Sequence, residues 1–308
     1  MPALALDPDL VPPVAGGLLG APARLVGARP GDGVVVRPAH ADVVRLLTAA
    51  TAQGPDGVVV VGSVWSRPAG RSVELGATLA GTVAAVADEL ARRPADLLVV
   101  PGAHPGTGDL LPLAELADLA HAHGAQVAVE AGPLVAAGAV DMTAAQLDHV
   151  VFSGLDVYAP LAAAVLVGGP RRQPDQIGAC PPHPRRAVSA ALAAACRELA
   201  TLPEGLLAGH EADLRRLVVA TLKDLPGIHP LTGWPDARRS CGLVSFTVEG
   251  HEASSVAERL AVRHGLPGVD TVLPPAAGQP AVRLRLGAAW AAEDVARLRD
   301  ALEDVLTS

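Results

Sequence analysis

From about Gly31 to Gly169, short valine-rich runs alternate with longer stretches in which leucine, valine and alanine recur at helical spacing. The runs Val34–Val36, Val58–Val61, Leu97–Val100, Gln126–Glu130 and His149–Phe152 are continuously apolar or nearly so. Strands covered on both faces of a parallel sheet read this way, whereas half-solvated strands alternate. The intervening stretches Asp42–Ala52, Val73–Arg92 and Leu113–His123 predict helices. A βαβ rhythm of this kind argues for an α/β core. Gly31-Asp32-Gly33, Pro101-Gly102 and Ala131-Gly132-Pro133 supply loop signals beside the strands.

The character changes after Gly169. Residues 171–186 are rich in Pro, Arg and Gln and read as a connector. Helices are predicted over Ala187–Leu199, Glu204–Lys223, Ala253–His264 and Ala291–Leu306, and strands over Gly242–Val248 and Val282–Gly287. The last helix carries Glu293 and Asp294 in its first turn, where the helix dipole favours negative charge. The expectation is a large domain over 1–175, followed by a connector helix and a small α/β domain over 176–308.

Composition narrows the function classes. The chain has 308 residues, 50% hydrophobic and 18% charged, which excludes a wholly disordered protein. Its net charge of −8 and an aromatic content of 2% argue against nucleic-acid partners. Val157–Gly169 is uncharged but too short to span a bilayer, so no membrane partner is expected. The start of the chain carries Asp7 and Asp9 and lacks the basic region of a signal peptide. Cys180, Cys196 and Cys241 form neither a C-x-x-C pair nor a zinc spacing, so no metal site and a reducing, cytoplasmic setting are expected.

One count weighs more than these. Lys223 is the single lysine in the chain. It sits in Thr-Leu-Lys-Asp, which rules out a Walker-type nucleotide loop. Gly106-Thr107-Gly108 does not open a dinucleotide fingerprint, and neither Ser153 nor Ser245 lies in a nucleophile elbow.

A family resemblance emerges between Leu97 and Gly168. Thr107-Gly108, Leu111-Pro112-Leu113-Ala114-Glu115-Leu116-Ala117, Ala120-His121-Ala122-His123-Gly124-Ala125, Val127-Ala128-Val129-Glu130 and Phe152-Ser153-Gly154-Leu155-Asp156-Val157-Tyr158-Ala159-Pro160 follow one another in an order and spacing that resemble class V aminotransferases. That group includes the cysteine desulfurases. Arg239-Ser240-Cys241-Gly242-Leu243-Val244-Ser245-Phe246 and Val282-Arg283 extend the resemblance toward the C-terminus, and Pro30-Gly31-Asp32 extends it upstream. The resemblance implies a fold-type I large domain with a mostly parallel sheet and a small C-terminal α/β domain. It also implies pyridoxal phosphate (PLP) as cofactor and an active site built at a dimer interface.

The departures bear on function. PLP chemistry needs a lysine to hold the aldehyde as an imine. By resemblance that position is Asp156, which cannot form one, and the histidine before it is Leu155. The acid that partners the pyridine ring is Glu130 rather than Asp. Pro133 replaces a glutamine, and Gly17-Leu18-Leu19-Gly20-Ala21-Pro22 lacks the hydroxyl of the phosphate-cradling turn. No cysteine lies between Gly265 and Pro280, where desulfurases carry their nucleophile.

By resemblance alone, His40, His104, Glu130 and Ser153 are candidate cofactor contacts, and Arg283 is a candidate ligand for a small carboxylate. Glu130 and Asp156 are read either as an acid/base pair or as a structural relic and a helix cap. His40 is otherwise a helix-start histidine, and Arg283 an ordinary strand-end arginine with Arg285 beside it.

Three function classes stay open. One is a degenerate, non-catalytic chain, in a homodimer or as the silent partner of a lysine-bearing homologue. The second is a repurposed enzyme doing acid/base chemistry on a small amino or keto acid. The third is a protein that binds PLP or its pyridoxamine form without a covalent link.

Overall fold

A computed structural model describes residues 19–62, 68–169, 186–273 and 279–307. The chain divides into two compact units. One comprises residues 1–76, 81–102 and 112–203, and the other residues 77–80, 103–111 and 204–308. The expected connector over 171–186 lies almost wholly outside the described residues, as do Cys180, Gly17, Leu18 and the 175/176 boundary.

The first unit holds a seven-stranded sheet of β1 (Gly33–Arg37), β2 (Val58–Val61), β3 (Arg71–Val73), β4 (Leu97–Pro101), β5 (Gln126–Glu130), β6 (His149–Ser153) and β7 (Ala164–Gly168). Their order across the sheet is β1-β7-β6-β5-β4-β2-β3. The pairs from β3 through β6 are parallel, and β7 runs antiparallel to both β6 and β1. The continuous apolar runs are explained by this placement. Every residue of β1, β2, β4, β6 and β7 is buried. Val35, Val58, Val60, Leu97, Val99, Ala128, Val151, Ala164 and Leu166 pack with Val43 and Leu47 of α2 (His40–Thr51) into one core. Each fully buried valine or leucine among them is worth roughly 1.5–3 kcal/mol relative to its exposed state.

Two elements differ from the expectation. The helix predicted from Val73 starts instead at Leu79, as α3 (Leu79–Arg92). Val73 is taken into the sheet by pairing with Val61, and strand pairing overrides helical periodicity there. The helix α6 (Arg186–Thr201), grouped by sequence with the small domain, falls in the first unit and packs on α1 (Gly20–Leu25). Helices α4 (Leu113–Ala122) and α5 (Gly132–Val135) complete this unit.

The second unit holds a four-stranded antiparallel sheet, ordered β10-β11-β9-β8, from β8 (Ile228–Pro230), β9 (Leu243–Val248), β10 (Val269–Val272) and β11 (Ala281–Arg285). Helices α7 (Leu206–Asp224), α8 (Ala253–Glu258) and α9 (Ala292–Leu306) pack on it. Leu214, Val218 and Leu222 of α7 and Leu298, Leu302 and Val305 of α9 form a core with Val244, Phe246, Val282 and Leu284. No described helix is long and apolar enough to cross a membrane.

Candidate functional site

In the first unit, register brings four of the candidate residues to one end of the sheet. Glu130 closes β5 opposite Pro101 of β4 and Val151 of β6. It is half-buried, and its carbonyl accepts the N–H of Gly102 at 2.8 Å. Ser153 closes β6, opposite Ala164, and Ala164 in turn faces Arg37 at the end of β1. His40 opens α2 three residues beyond Arg37 and is half-buried, and burial lowers its pKa from the ordinary imidazole value.

Asp156 lies in the single 3₁₀ turn Gly154–Val157 that follows β6. Its Oδ2 accepts the backbone N–H of Ser153 at 2.7 Å, while the Ser153 hydroxyl accepts the N–H of Leu155 at 3.2 Å. This reciprocal arrangement is a capping box, which satisfies donors that the start of a helical turn leaves open. The carboxylate also lies against the backbone of Gly132: a Cβ there would sit 2.7 Å from Oδ2. The structure therefore brings Asp156 to the segment immediately following Glu130.

These residues do not fit a cofactor held as an imine. The position expected to offer an amine carries a carboxylate engaged in capping. The chain's single lysine, Lys223, is exposed near the end of α7 in the second unit.

His104 and Arg283 belong to the second unit. The Nδ1 of His104 accepts the backbone N–H groups of Gly106 and Thr107, both at 3.2 Å. Its ring meets Trp234 edge to face, with centroids 4.9 Å apart. Burial lowers its pKa, and the nearby charge of Asp109 opposes this. Asp109 is buried and accepts from the Thr107 hydroxyl at 2.8 Å and from the backbone N–H of Trp234 at 2.8 Å.

Arg283 is held by a fork. Its Nε and one terminal nitrogen donate to the two oxygens of Asp270, each at 2.7 Å, and its other terminal nitrogen donates to the Pro105 carbonyl at 3.2 Å. Bidentate pairs of this geometry are among the stronger charge-assisted contacts. The fork expected to receive a small carboxylate is occupied by one from the chain itself.

Asp109, Trp234 and Asp270 escape the sequence reading. Asp270 faces Arg283 directly across the β10–β11 ladder, so finding it requires the register of a strand that was not foreseen. Asp109 lies in a glycine-rich loop with no motif to mark it, one residue beyond the Thr107-Gly108 pair.

Cys196 and Cys241 are free and buried, and burial pushes each thiol up to about 12. Such thiols remain protonated at neutral pH and are poor nucleophiles. Among the described residues, no group of three or more His, Cys, Asp or Glu side chains could hold a metal ion.

No protein-family model matches the chain. It is 30% identical over 215 residues to the 8-amino-7-oxononanoate synthase of Burkholderia cenocepacia, covering 63% of this chain and 50% of that protein. The chain thus spans about half the length of the curated relatives it matches. Among solved structures it is similar to a cysteine desulfurase from Thermococcus onnurineus, with TM-score 0.76, 18% identity, and coverage of 94% of this chain and 83% of that one. It is likewise similar to the ureidoglycine-glyoxylate aminotransferase of Bacillus subtilis, with TM-score 0.73, 13% identity and the same two coverages. The chain has the mixed α/β, mostly parallel fold shared by these cysteine desulfurases and aminotransferases.

Proposed function

We propose that this chain is a degenerate relative of the cysteine desulfurases and class V aminotransferases that forms no covalent link to PLP and is catalytically silent. In this reading it acts in the cytoplasm as a subunit, either in a homodimer or beside a lysine-bearing homologue. The observation that carries the proposal is Asp156, whose carboxylate caps the turn after β6 at the position where the resemblance implies the imine-forming lysine. The exposed Lys223, on a helix of the other unit, supports it. So do the buried, protonated thiols of Cys196 and Cys241.

The reading as a repurposed acid/base enzyme draws less support. The Asp156 carboxylate is engaged by the Ser153 N–H within the capping box and so suits a cap better than proton transfer.

The test is a titration of the purified chain with PLP, followed by visible absorption, melting temperature and borohydride trapping. The expected result is no visible band of a cofactor–lysine adduct and no trapped mass. A raised melting temperature without an adduct would support non-covalent binding. A borohydride-trapped adduct on Lys223 would overturn the proposal. The silent-subunit reading further expects co-purification with a lysine-bearing homologue from the native host.

A further inference from the structure

We infer that Glu211 and Arg215 form a pH-sensitive switch: while Glu211 is neutral the Arg215 guanidinium holds the Leu243 carbonyl, and when Glu211 ionises the guanidinium moves onto its carboxylate and releases that carbonyl. The inference concerns the second unit alone and holds whether or not the chain proves catalytically silent.

The geometry begins with spacing. Glu211 and Arg215 lie four residues apart inside α7, so their side chains leave the same face of the helix. The acid stands on the N-terminal side, which is the order in which such pairs bind best. Yet the two are not paired with each other. The Oε2 of Glu211 accepts the N–H of Gly242 at 3.1 Å, and a terminal nitrogen of Arg215 donates to the carbonyl of Leu243. Neither side chain has an ion-pair partner among the described residues. An acid and a base within reach of each other are thus held on neighbouring backbone groups of one strap.

Two facts account for the open pair. Glu211 is 6% exposed, and burial raises its carboxyl from 4.5 to about 7 against the pull of the Gly242 N–H. A neutral carboxyl offers a guanidinium little. The Leu243 carbonyl offers more, because β8 pairs with Phe246 to Val248 and stops short of Leu243. Arg215 therefore stands where a strand donor would otherwise stand, at a residue that is itself buried. Ionisation reverses the balance. A buried carboxylate is costly unless a cation meets it, and Arg215 is the cation on its helix face.

The other ionisable groups around α7 leave this exchange to Arg215. The Cys241 thiol lies within the fields of both Glu211 and Arg215, but it is pushed up to about 12 and stays neutral. His210 precedes Glu211, and its Nε2 meets the Trp290 carbonyl at 2.9 Å. On α9, Asp294 is paired with Arg297, and Arg299 lies 3.3 Å from Asp224 at the far end of α7. On β8, His229 is exposed and lies 4.0 Å from Glu249. Asp109, beyond Ser240, already accepts from the Thr107 hydroxyl and the backbone N–H of Trp234.

The strap carries the effect further. The Cys241 N–H donates to the Gly108 carbonyl at 2.8 Å, and the Leu110 N–H donates to the Arg239 carbonyl at 3.0 Å. The segment that Arg215 grips is therefore the one that holds the loop 103–111. Releasing Leu243 loosens that hold.

The test is an NMR titration of the ¹³C,¹⁵N-labelled full chain from pH 5 to 8. It follows the Glu211 carboxyl carbon, the Arg215 Nε–H and the Leu243 carbonyl carbon. All three are assigned through bonds from the backbone, so the parent alone decides the result if a variant fails to fold. The expected result is one shared transition, with a midpoint above 4.5 and no higher than about 7, since pairing with Arg215 favours the ionised acid. In Glu211→Gln the Arg215 and Leu243 signals should stay constant over the range. In Arg215→Gln the Glu211 midpoint should rise, because the cation is gone. Hydrogen exchange at the Cys241 amide should be faster in the parent than in Glu211→Gln at pH 8 and equal at pH 5. A Glu211 midpoint at its ordinary value, or Arg215 and Leu243 signals that stay fixed while Glu211 titrates, would overturn the switch. Equal Cys241 exchange in the two proteins at pH 8 would overturn its reach to the loop. Neither outcome bears on covalent PLP binding, so failure here is distinguishable from failure of the proposed function.

Discussion

Glu211 offers the sharpest test of the second unit's interior. It lies on α7, 6% exposed, and its Oε2 accepts the N–H of Gly242 at 3.1 Å. Burial raises its pKa from 4.5 to about 7, against the opposing pull of the Gly242 N–H. In the unfolded chain the carboxyl returns to its ordinary value, so between these two points the folded state holds more proton than the unfolded one. Stability from this group is then fully present below about pH 4.5 and is lost as pH rises through 7. At about 1.4 kcal/mol per tenfold change in proton affinity, the loss is about 3 kcal/mol. Glu211→Gln keeps the volume and an acceptor for Gly242 but removes the charge. It should therefore be more stable than the parent at pH 8, by up to that amount, and the difference should shrink toward pH 5. The assay is urea unfolding at several pH values, read by tryptophan fluorescence. Trp234 and Trp290 both lie in this unit, and the carbonyl of Trp290 meets the Nε2 of His210, beside Glu211, at 2.9 Å. A difference between Glu211→Gln and the parent that stays flat from pH 5 to 8 would refute the reasoning, as would a less stable variant at pH 8.

Three further outcomes follow from contacts already described. Gly132→Ala places a Cβ 2.7 Å from the Asp156 carboxylate and should cost about 1–3 kcal/mol. In an Asp156→Ala background the same change should cost less, so a double-mutant cycle by chemical denaturation should show positive coupling. Asp270→Asn weakens the fork on Arg283, whose partner is 38% exposed, and should lower stability by only about 1 kcal/mol. It should also leave the guanidinium able to take an added carboxylate, which calorimetry with acetate would detect. In Cys180→Ser, the folded protein should react negligibly with an aromatic disulfide reagent, and two thiols should appear on unfolding, because Cys196 and Cys241 are buried and protonated.

The parts of the fold that were legible are those in which local pattern and burial agree. Five strands of the large sheet stand out as valine-rich runs because both faces of the sheet are covered. β7 is equally buried, yet it lies in an uncharged stretch from Val157 to Gly169 whose flanking alanines blur the strand's edges. β3 is hidden inside a helical pattern because its three residues enter the sheet only by pairing with β2. β8 and β10 are short and partly exposed, so neither alternation nor a continuous run marks them. The site divides in the same way. Asp156, Glu130 and Ser153 are reached through the family resemblance, whose motifs fall at the ends of strands that the hydrophobic pattern also marks. The partners of His104 and Arg283 are set by long-range closure, with Trp234 lying 125 residues from Asp109, and no local pattern reports such a contact.

On the proposed reading of Asp156, a lysine placed at that position would not by itself build a cofactor site. A lysine there would remove the acceptor for Ser153 N–H, and losing a cap of this kind costs roughly 0.5–2 kcal/mol. It would also have to thread a longer side chain past Gly132, whose lack of a Cβ is matched to the carboxylate now against it. Asp156→Lys is therefore expected to destabilise the first unit, measurably by denaturation, and to gain no visible PLP band. The capping box and the Gly132 contact form one local solution for the end of β6. A stable Asp156→Lys variant with a borohydride-trapped PLP adduct would show that this end of the sheet still accepts the cofactor, and that the carboxylate alone keeps the chain silent.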